Sequence, residues 1–203
     1  MNILVTGASG QLGRSLQDIS GGDDFNFVFT DVTAGDGVVE LDATDAAAVD
    51  TIMRENKIDV VINCAGYTDV NKAEDEEDKA YVLNAGLPGI LAAAAKEADA
   101  LLMHISTDYI FDGKSSVPYR EDDEPGPLGA YARTKLEGEN AVKQSGCRYM
   151  IFRTAWMYSS YGNNFMRTME SLTAGRPYVN VVIDQTGTPT YAGDLAQAIM
   201  HII

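Results

Sequence analysis

Cysteine and positive charge are both scarce in this sequence of 203 residues. Its two cysteines, Cys64 and Cys147, are too few for a disulfide framework and lack metal-ligand spacing, so we predict reduced thiols and no metal site. The 15 Lys and Arg residues stand against 30 Asp and Glu, which gives a net charge of −15. This balance argues against a nucleic-acid partner, because phosphate backbones are bound by clustered cations.

Long hydrophobic runs are also missing. No stretch of about 18 apolar residues occurs, and the N-terminal MNILVTG lacks the basic start and long apolar core of a signal peptide. We therefore expect a soluble, cytoplasmic protein with no membrane partner. What the chain does have is 45% hydrophobic and 22% charged residues, the composition of a globular domain with a sizeable core.

Short apolar runs alternate along the chain with segments of helical period. The runs predicted as strands are NILVT, FVFTD, VVINCA, LLMHIS, YMIFRT and VNVVI, and the predicted helices cover 12–19, 46–55, 80–98, 129–144, 164–174 and 192 onward. Strands that are apolar throughout indicate a parallel sheet covered by helices on both faces. The sequence therefore predicts an α/β fold with a doubly wound parallel sheet. The last helical pattern reaches Ile203 without a capping residue, so we expect a longer protein of which this chain is part.

A glycine-rich turn, VTGASGQLGRSL, joins the first predicted strand to the first predicted helix. Gly7, Gly10 and Gly13 lack side chains where a pyrophosphate would bind backbone N–H groups at a helix N-terminus. The spacing has one residue more than the usual G-x-G-x-x-G fingerprint. By itself it leaves a purely structural turn open.

Asp31 strengthens the dinucleotide interpretation. It ends the second predicted strand 18 residues after Gly13, near the separation at which an acid accepts the ribose hydroxyls. The following VTAGDG holds no Lys or Arg for a 2′-phosphate, which favours NAD over NADP as the cofactor. Arg14 keeps NADP open.

A second group of residues suits carbonyl reduction. Thr107 follows the fourth predicted strand, at the sheet edge where such folds bind ligands. Tyr131 and Lys135 share one helix face at i and i+4. Lys135, together with a cationic nicotinamide ring, would lower the pKa of the Tyr131 phenol. Tyr131 would deliver a proton to the substrate oxygen, and Thr107 would hydrogen-bond that oxygen. The hydride would come from the cofactor.

Together these motifs resemble the extended branch of the short-chain dehydrogenase/reductase superfamily, which has a Rossmann fold. Within that branch, GQLG, STDYIFDG, TKLEGE, FRTAWMY, GNNF and DQTGTPT are similar to the dTDP-4-dehydrorhamnose reductase family. The resemblance implies reduction of the 4-keto group of dTDP-4-dehydro-L-rhamnose to dTDP-L-rhamnose with NADH or NADPH, for cell-surface polysaccharide synthesis. The implied partner is a nucleotide-sugar substrate, and a homodimer is left open.

The same resemblance implies a division of the chain. Residues 1–203 would form a NAD(P)-binding Rossmann domain, and 155–203 would include the start of the substrate-binding portion. The smaller C-terminal substrate region of the family would be largely absent. Ala132 departs from the family pattern, which often has Gly at this position.

Individual residues also take roles from the resemblance. Catalysis would fall to Thr107, Tyr131 and Lys135. Besides the glycines Gly7, Gly10 and Gly13, the dinucleotide would contact Gln11, Leu12, Asp31, Asp42, Ala43, Ala65, Gly66, Tyr67, Tyr131 and Lys135. The nucleotide sugar would contact Thr107, Asp108, Trp156, Asn163 and Asn164.

Two alternatives remain open. A nucleotide-sugar epimerase or dehydratase shares the fold and the Tyr and Lys pair, but the dehydratases carry Asp and Glu directly after the catalytic Thr, whereas Tyr109 follows Asp108 here. A non-catalytic regulatory subunit of the methionine adenosyltransferase type would keep the fold and act by association. The intact Thr107, Tyr131 and Lys135 weigh against it.

Two further polar residues lie on predicted strands. His104 precedes the Thr107 motif, and we expect it to be a core residue or to support the site rather than to be catalytic. Arg153 is a candidate for binding the anionic pyrophosphate of the sugar nucleotide.

The ribose assignment of Asp31 can be tested with Asp31→Ala. We expect this change to weaken binding of NADH more than that of NADPH, because only the dinucleotide with a free 2′-hydroxyl uses the carboxylate as an acceptor. Dissociation constants for both dinucleotides measure the effect. An equal loss for both would contradict the assignment.

Overall fold

The strands of the protein form where apolar residues follow one another, and the helices where apolar residues recur with helical period. The computed structural model describes residues 1–22 and 24–203. Its strands are Asn2–Thr6 (β1), Asn26–Asp31 (β2), Val38–Glu40 (β3), Val60–Asn63 (β4), Leu101–Thr107 (β5), Arg148–Thr154 (β6), Met157–Tyr158 (β7) and Thr190–Tyr191 (β8). Its α-helices are Gln11–Ile19 (α1), Ala46–Glu55 (α2), Glu77–Tyr81 (α3), Leu87–Glu97 (α4), Ala130–Ser145 (α5), Phe165–Gly175 (α6) and Ala192–Ile202 (α7).

Six of the strands form one parallel sheet with the order β3-β2-β1-β4-β5-β6. Val5 of β1 pairs with Phe29 of β2 on one side and with Ile62 of β4 on the other. Because the strand order reverses at β1, the carboxyl ends of β1 and β4 open a crevice there, where folds of this kind bind ligands. The prediction of a doubly wound parallel sheet is confirmed.

Each face of the sheet has its own core. On one face, Leu4 and Leu102 pack with residues of α2, α4 and α5, among them Leu91. On the other face, Ile3 and Ile62 pack with α1 and α7. Successive residues of a strand point to opposite faces of the sheet, and both faces are covered by an apolar layer. These runs are therefore hydrophobic throughout.

The predicted strand VNVVI is wrong. Residues 179–183 lie outside every strand of the described chain, and Val182 and Ile183 are 68% and 96% exposed. An apolar run predicts burial, but it does not show whether a neighbouring strand is available to pair with it. Conversely, the short strand β3 was not predicted. It has three residues, two of them exposed, so its sequence has no apolar run that would indicate a buried strand.

The predicted helix over 80–98 is divided into α3, a π-helical turn at Val82–Gly86 and α4. Pro88 accounts for the division, because it has no N–H to donate to the carbonyl of Asn84 four residues earlier, and its ring crowds that carbonyl. The freed carbonyl faces α5, where a Cβ built on Gly138 would overlap the Asn84 oxygen. A residue without a side chain thus lets α5 approach the π-helical turn closely.

Among the residues that the structure describes, no helix has the length and apolarity that a membrane crossing would need.

Two glycine substitutions test the close approach of α5 to the π-helical turn. Gly138→Ala places a methyl group against the Asn84 backbone, and we expect the free energy of unfolding to fall by about 1–3 kcal/mol. Gly89→Ala in α4 is the matched control, since its Cβ would lie an ordinary 3.5 Å from Ala141 Cβ. There we expect a gain of about 0.5–1 kcal/mol, because alanine is the better helix former. Chemical denaturation measures both, and equal effects would refute the interpretation.

Candidate active site

The glycine turn brings β1, β4 and α1 together at the crevice. Gly7 has a φ of +66°, and a Cβ built on it would lie 2.6 Å from the backbone nitrogen of Ala65. Gly10 is the N-cap of α1 and offers no side chain to the first-turn N–H groups of the helix. The positive end of α1 is therefore open toward an anion such as a pyrophosphate.

Asp31 lies beside this turn at the carboxyl end of β2. Its carboxylate accepts hydrogen bonds from Ser9 N at 2.9 Å and from Val32 N at 2.8 Å. A carboxylate has about four acceptor positions, so two remain for ribose hydroxyls. Asp31 thus holds the glycine turn through Ser9 N, and its contact with a ribose stays a prediction.

The other predicted dinucleotide contacts lie along the same sheet edge. Asp42 follows β3 and accepts from the Thr44 hydroxyl at 2.6 Å and from Thr44 N at 2.9 Å, two hydrogen bonds that lower its pKa. Leu12 and Ala43 are buried, and their contact with a dinucleotide stays a prediction. Residues 65–67 come directly after β4.

Asn84 was not singled out in the sequence, yet it orders the loop after β4. Its buried side chain accepts from Tyr67 N at 2.8 Å and donates to Tyr67 O at 3.1 Å. It also donates to Thr134 Oγ1 of α5 at 3.2 Å. A polar residue within an apolar helical segment, four positions before Pro88, is the signal that could have revealed it.

Hydrogen bonds of Asn63 and His104 link three neighbouring strands, β1, β4 and β5. Asn63 Oδ1 accepts from Thr6 Oγ1 at 2.8 Å, and Asn63 Nδ2 lies 3.0 Å from His104 Nδ1. Burial, and then the nearby Lys135 ammonium, lower the pKa of His104 well below its usual value. His104 is therefore a neutral residue that supports the site, in agreement with the expectation from the sequence.

Thr107, Tyr131 and Lys135 converge at the carboxyl end of β5. The Tyr131 phenol lies near the Thr107 hydroxyl, which acts to lower its pKa, and Lys135 Nζ donates to Ile105 O of the same strand at 2.7 Å. Lys135 Nζ also lies beside Gly66, 3.9 Å from the position of a Cβ built there. The group predicted from distant parts of the sequence thus meets next to the loop after β4.

The hydroxyl of Thr107 has two hydrogen-bond partners next to it in the sequence. It accepts from Tyr109 N at 3.2 Å and donates to Asp108 Oδ1 at 3.1 Å. Burial raises the pKa of Asp108, an effect that the Thr107 hydrogen bond opposes in part. Asp108 therefore belongs to the same hydrogen-bonded group as the predicted catalytic residues.

Burial dominates the ionisation of the two key side chains. It raises the pKa of Tyr131 to about 12, whereas the nearby Thr107 hydroxyl acts in the opposite direction. The lowering that we expected from Lys135 together with a bound nicotinamide ring stays a prediction. Burial lowers the pKa of Lys135 to about 8, and the charge of Glu139 partly offsets it. The phenol is thus a protonated group at neutral pH, as a proton donor must be.

Trp156 has an unusual backbone conformation between β6 and β7. Its φ is +46°, its side chain is 40% exposed, and its indole covers Gly187, where a Cβ would lie 3.0 Å from the ring. Left-handed backbone at a residue with a large side chain is costly and tends to occur at binding sites. The contact of Trp156 with the substrate stays a prediction.

Asn163 and Asn164 are placed differently from each other. Asn163 is exposed, whereas the buried Asn164 is the N-cap of α6 and accepts from Arg167 N at 3.0 Å. Asn164 Nδ2 donates to Gln11 Oε1 at 3.0 Å and to Ser159 O at 2.9 Å. The side chains of Gln11 and Asn164 thus bind each other, which leaves the backbone of Gln11 for the predicted dinucleotide contact.

Arg153 does not point to a substrate phosphate, as we had expected, but binds Glu139 within the protein. Its Nη2 lies 2.8 Å from Glu139 Oε2 and its Nε 3.0 Å from Glu139 Oε1. A buried carboxylate at these distances binds the guanidinium through two charge-assisted hydrogen bonds. Across 1–22 and 24–203, no group of three or more His, Cys, Asp or Glu side chains is arranged to hold a metal ion.

Comparison with known proteins gives consistent matches over the full length of the chain. The RmlD substrate binding domain family matches residues 1–203. The dTDP-4-dehydrorhamnose reductase of Mycolicibacterium smegmatis is 44% identical over 208 residues, which cover 99% of this chain and 60% of that protein. This chain therefore spans less than two thirds of that relative.

Two solved structures are also similar. A dTDP-4-dehydrorhamnose reductase from Clostridium acetobutylicum is 47% identical with a TM-score of 0.92, over 100% of this chain and 70% of that one. The enzyme of the same name from Bacillus anthracis, solved in complex with NADP, is 37% identical with a TM-score of 0.91, over 99% of this chain and 69% of that one.

The fit of the glycine turn can be tested with two substitutions at positive φ. Gly7→Ala adds both backbone strain and a collision with Ala65, whereas Gly37→Ala, at a φ of +70°, adds the strain alone because its Cβ would meet nothing within 4 Å. We expect Gly37→Ala to cost about 1–2 kcal/mol with dinucleotide affinity unchanged. Gly7→Ala should cost more and lose at least about tenfold in affinity, since a shift of the turn moves the N–H groups at α1. Thermal melts and dinucleotide titration measure both, and equal affinities would count against the turn as the binding site.

Proposed function

This chain belongs to the RmlD substrate binding domain family, and we propose that it provides the dinucleotide-binding domain and catalytic group of a dTDP-4-dehydrorhamnose reductase. The proposed reaction is the NAD(P)H-dependent reduction of the 4-keto group of dTDP-4-dehydro-L-rhamnose to dTDP-L-rhamnose, in the cytoplasm. The observation that carries this proposal is the convergence of Thr107, Tyr131 and Lys135 beside the glycine-lined crevice. The names of relatives at 44% and 47% identity support the choice of substrate.

The residues present fit a nicotinamide dinucleotide. A Cβ on Gly7 would press on the backbone after β4, and the first turn of α1 offers N–H groups to a pyrophosphate. Asp31 would accept the ribose hydroxyls and favours NADH, while the Bacillus anthracis relative was solved with NADP. When bound, the reduced cofactor supplies the hydride.

The chain itself supplies the proton and the stabilisation of charge. Tyr131 would donate its phenolic proton to the carbonyl oxygen of the substrate as that oxygen becomes an alkoxide. Lys135 would stabilise the phenolate left behind, and the backbone carbonyl of Ile105 holds its ammonium in place. The Thr107 hydroxyl, held by the hydrogen bond from Tyr109 N, would turn its single proton from Asp108 to the same oxygen when substrate binds.

Residues 155–203 would contribute the first part of the substrate-binding region. Trp156 supports this, since its exposed indole lies directly after β6 in a strained conformation. Asn163 would contact the nucleotide sugar through its exposed side chain. Asn164 would shape the same segment through its bonds to Gln11 and Ser159.

The function can be tested by following oxidation of NADH and NADPH with and without 4-keto sugar nucleotides. We expect oxidation only when the keto sugar is present. Oxidation that needs no keto sugar would contradict the proposal. Release of an epimer or a dehydrated sugar would favour the epimerase or dehydratase, and dinucleotide binding without turnover would favour the regulatory subunit.

Tyr131→Phe tests the proton donor in the same assay. We expect turnover to fall by about 10²- to 10⁴-fold, the usual loss when a positioned acid is removed, with dinucleotide binding nearly intact. Tyr149→Phe is the control, because Tyr149 lies near the amino end of β6, opposite the crevice. Undiminished turnover in Tyr131→Phe would reject the role of the phenol.

A further inference from the structure

Glu139 is a fully buried carboxylate with no part in the mechanism above. It lies on α5 and is 0% exposed. It accepts from Ser106 Oγ at 2.6 Å and from Lys143 Nζ at 2.9 Å, and it forms the two-point contact with Arg153. Burial alone would raise its pKa, but the hydrogen bonds from Arg153, Ser106 and Lys143 outweigh burial and bring the pKa to about 2. Glu139 is therefore ionised at neutral pH.

The partners of Glu139 lie on the elements that form the active site. Ser106 immediately precedes Thr107 on β5, and Arg153 precedes Thr154, which pairs with Thr107 in the sheet. Glu139 itself follows Lys135 by one helical turn, so the two side chains lie on the same face of α5. One carboxylate thus connects α5, β5 and β6 just below the predicted catalytic group.

The charges around Lys135 show why the carboxylate matters. Lys135 is buried and its neighbour on β5, His104, is neutral. Arg153 on β6 is a cation, and on α5 Tyr131 is uncharged. Among the described residues packed around the Lys135 ammonium, Glu139 is the anion that opposes the cost of burying it.

We propose that Glu139 is a positioning residue of the active site, which fixes the end of β5 that carries Thr107 and keeps Lys135 in its charged form. This inference rests on the proposed function, because it assigns the role through Thr107 and Lys135. A carboxylate with a purely structural role would stabilise the fold without setting the ionisation of Lys135.

A direct titration of Lys135 separates these roles without any activity measurement. The pH dependence of the NMR signal of its ε-methylene group, assigned with Lys135→Met, should give a midpoint near pH 8 in the unaltered protein. In Glu139→Gln, which keeps the shape and removes the charge, we expect the midpoint to fall by about one pH unit or more. The sign follows because loss of an anion, which leaves Arg153 unopposed, disfavours the ammonium.

Lys143→Gln is the matched control. It removes another partner of Glu139 from a side chain that is 38% exposed, while the carboxylate keeps Ser106 and Arg153. We expect the Lys135 midpoint to stay or to rise slightly. An unchanged midpoint in Glu139→Gln would overturn the proposal, and so would an equal fall in Lys143→Gln.

Kinetics then connect the titration to turnover. The basic limb of the pH profile of kcat should move to lower pH in Glu139→Gln, by the same amount as the Lys135 midpoint, with KM within about twofold.

If Glu139→Gln does not fold, Glu139→Asp keeps the charge but cannot reach both Ser106 and Arg153. There we expect a fall in kcat of about tenfold with the basic limb in place, and a wild-type kcat would refute the inference. Absence of turnover in the unaltered protein would refute the proposed function instead, whereas the Lys135 titration still decides the charge role.

Discussion

The placement of helix α5 against strand β5 is the constraint on which the candidate active site depends. Tyr131 and Lys135 lie on the helix and Thr107 on the strand, so small shifts between these elements separate the reacting groups. Two adjacent residues fix the distance: Gly138 lets the helix approach the carbonyl of Asn84, and Glu139 ties it to Ser106 and Arg153. Backbone contact and buried charge therefore act on neighbouring positions of one helix.

The balance of charge in the protein gives this arrangement a further meaning. The chain carries a net charge of −15, yet the candidate active site contains a buried cation, Lys135. A buried cation needs either a counter-ion or several hydrogen bonds to remain charged. Lys135 has the carbonyl of Ile105 and the field of Glu139, so its local surroundings rather than the overall charge determine its state.

Much of the fold follows from local patterns in the sequence, because apolar runs and helical periodicity depend on residues that are close together in the chain. The strands β1, β2, β4, β5 and β6, the glycine turn and the helix that carries Tyr131 and Lys135 were predicted in this way. The run 179–183 was wrongly predicted as a strand, since pairing depends on a partner that hydropathy does not identify. The division of the helix over 80–98 could have been found from Pro88.

The supporting residues of the site were harder to predict, because each acts through a partner distant in the sequence. Asn63 binds His104, and Asn84 binds Tyr67. Glu139 binds Arg153, which was a candidate for binding a substrate phosphate. Residue type and spacing predicted the groups that would touch a ligand. They did not identify the polar contacts that hold those groups in position, which need three-dimensional proximity.

The side-chain amide of Gln11 joins the two halves of the crevice. It receives hydrogen bonds from Ser159 and Asn164 on the segment after β6, while the backbone of the same residue opens α1. Tyr161 of the same segment makes a second contact, from its hydroxyl to Asp18 Oδ1 of α1 at 2.9 Å. Under the proposed function, the dinucleotide end and the sugar end would thus be mechanically linked, and a substitution at Gln11 would disturb the binding of both ligands.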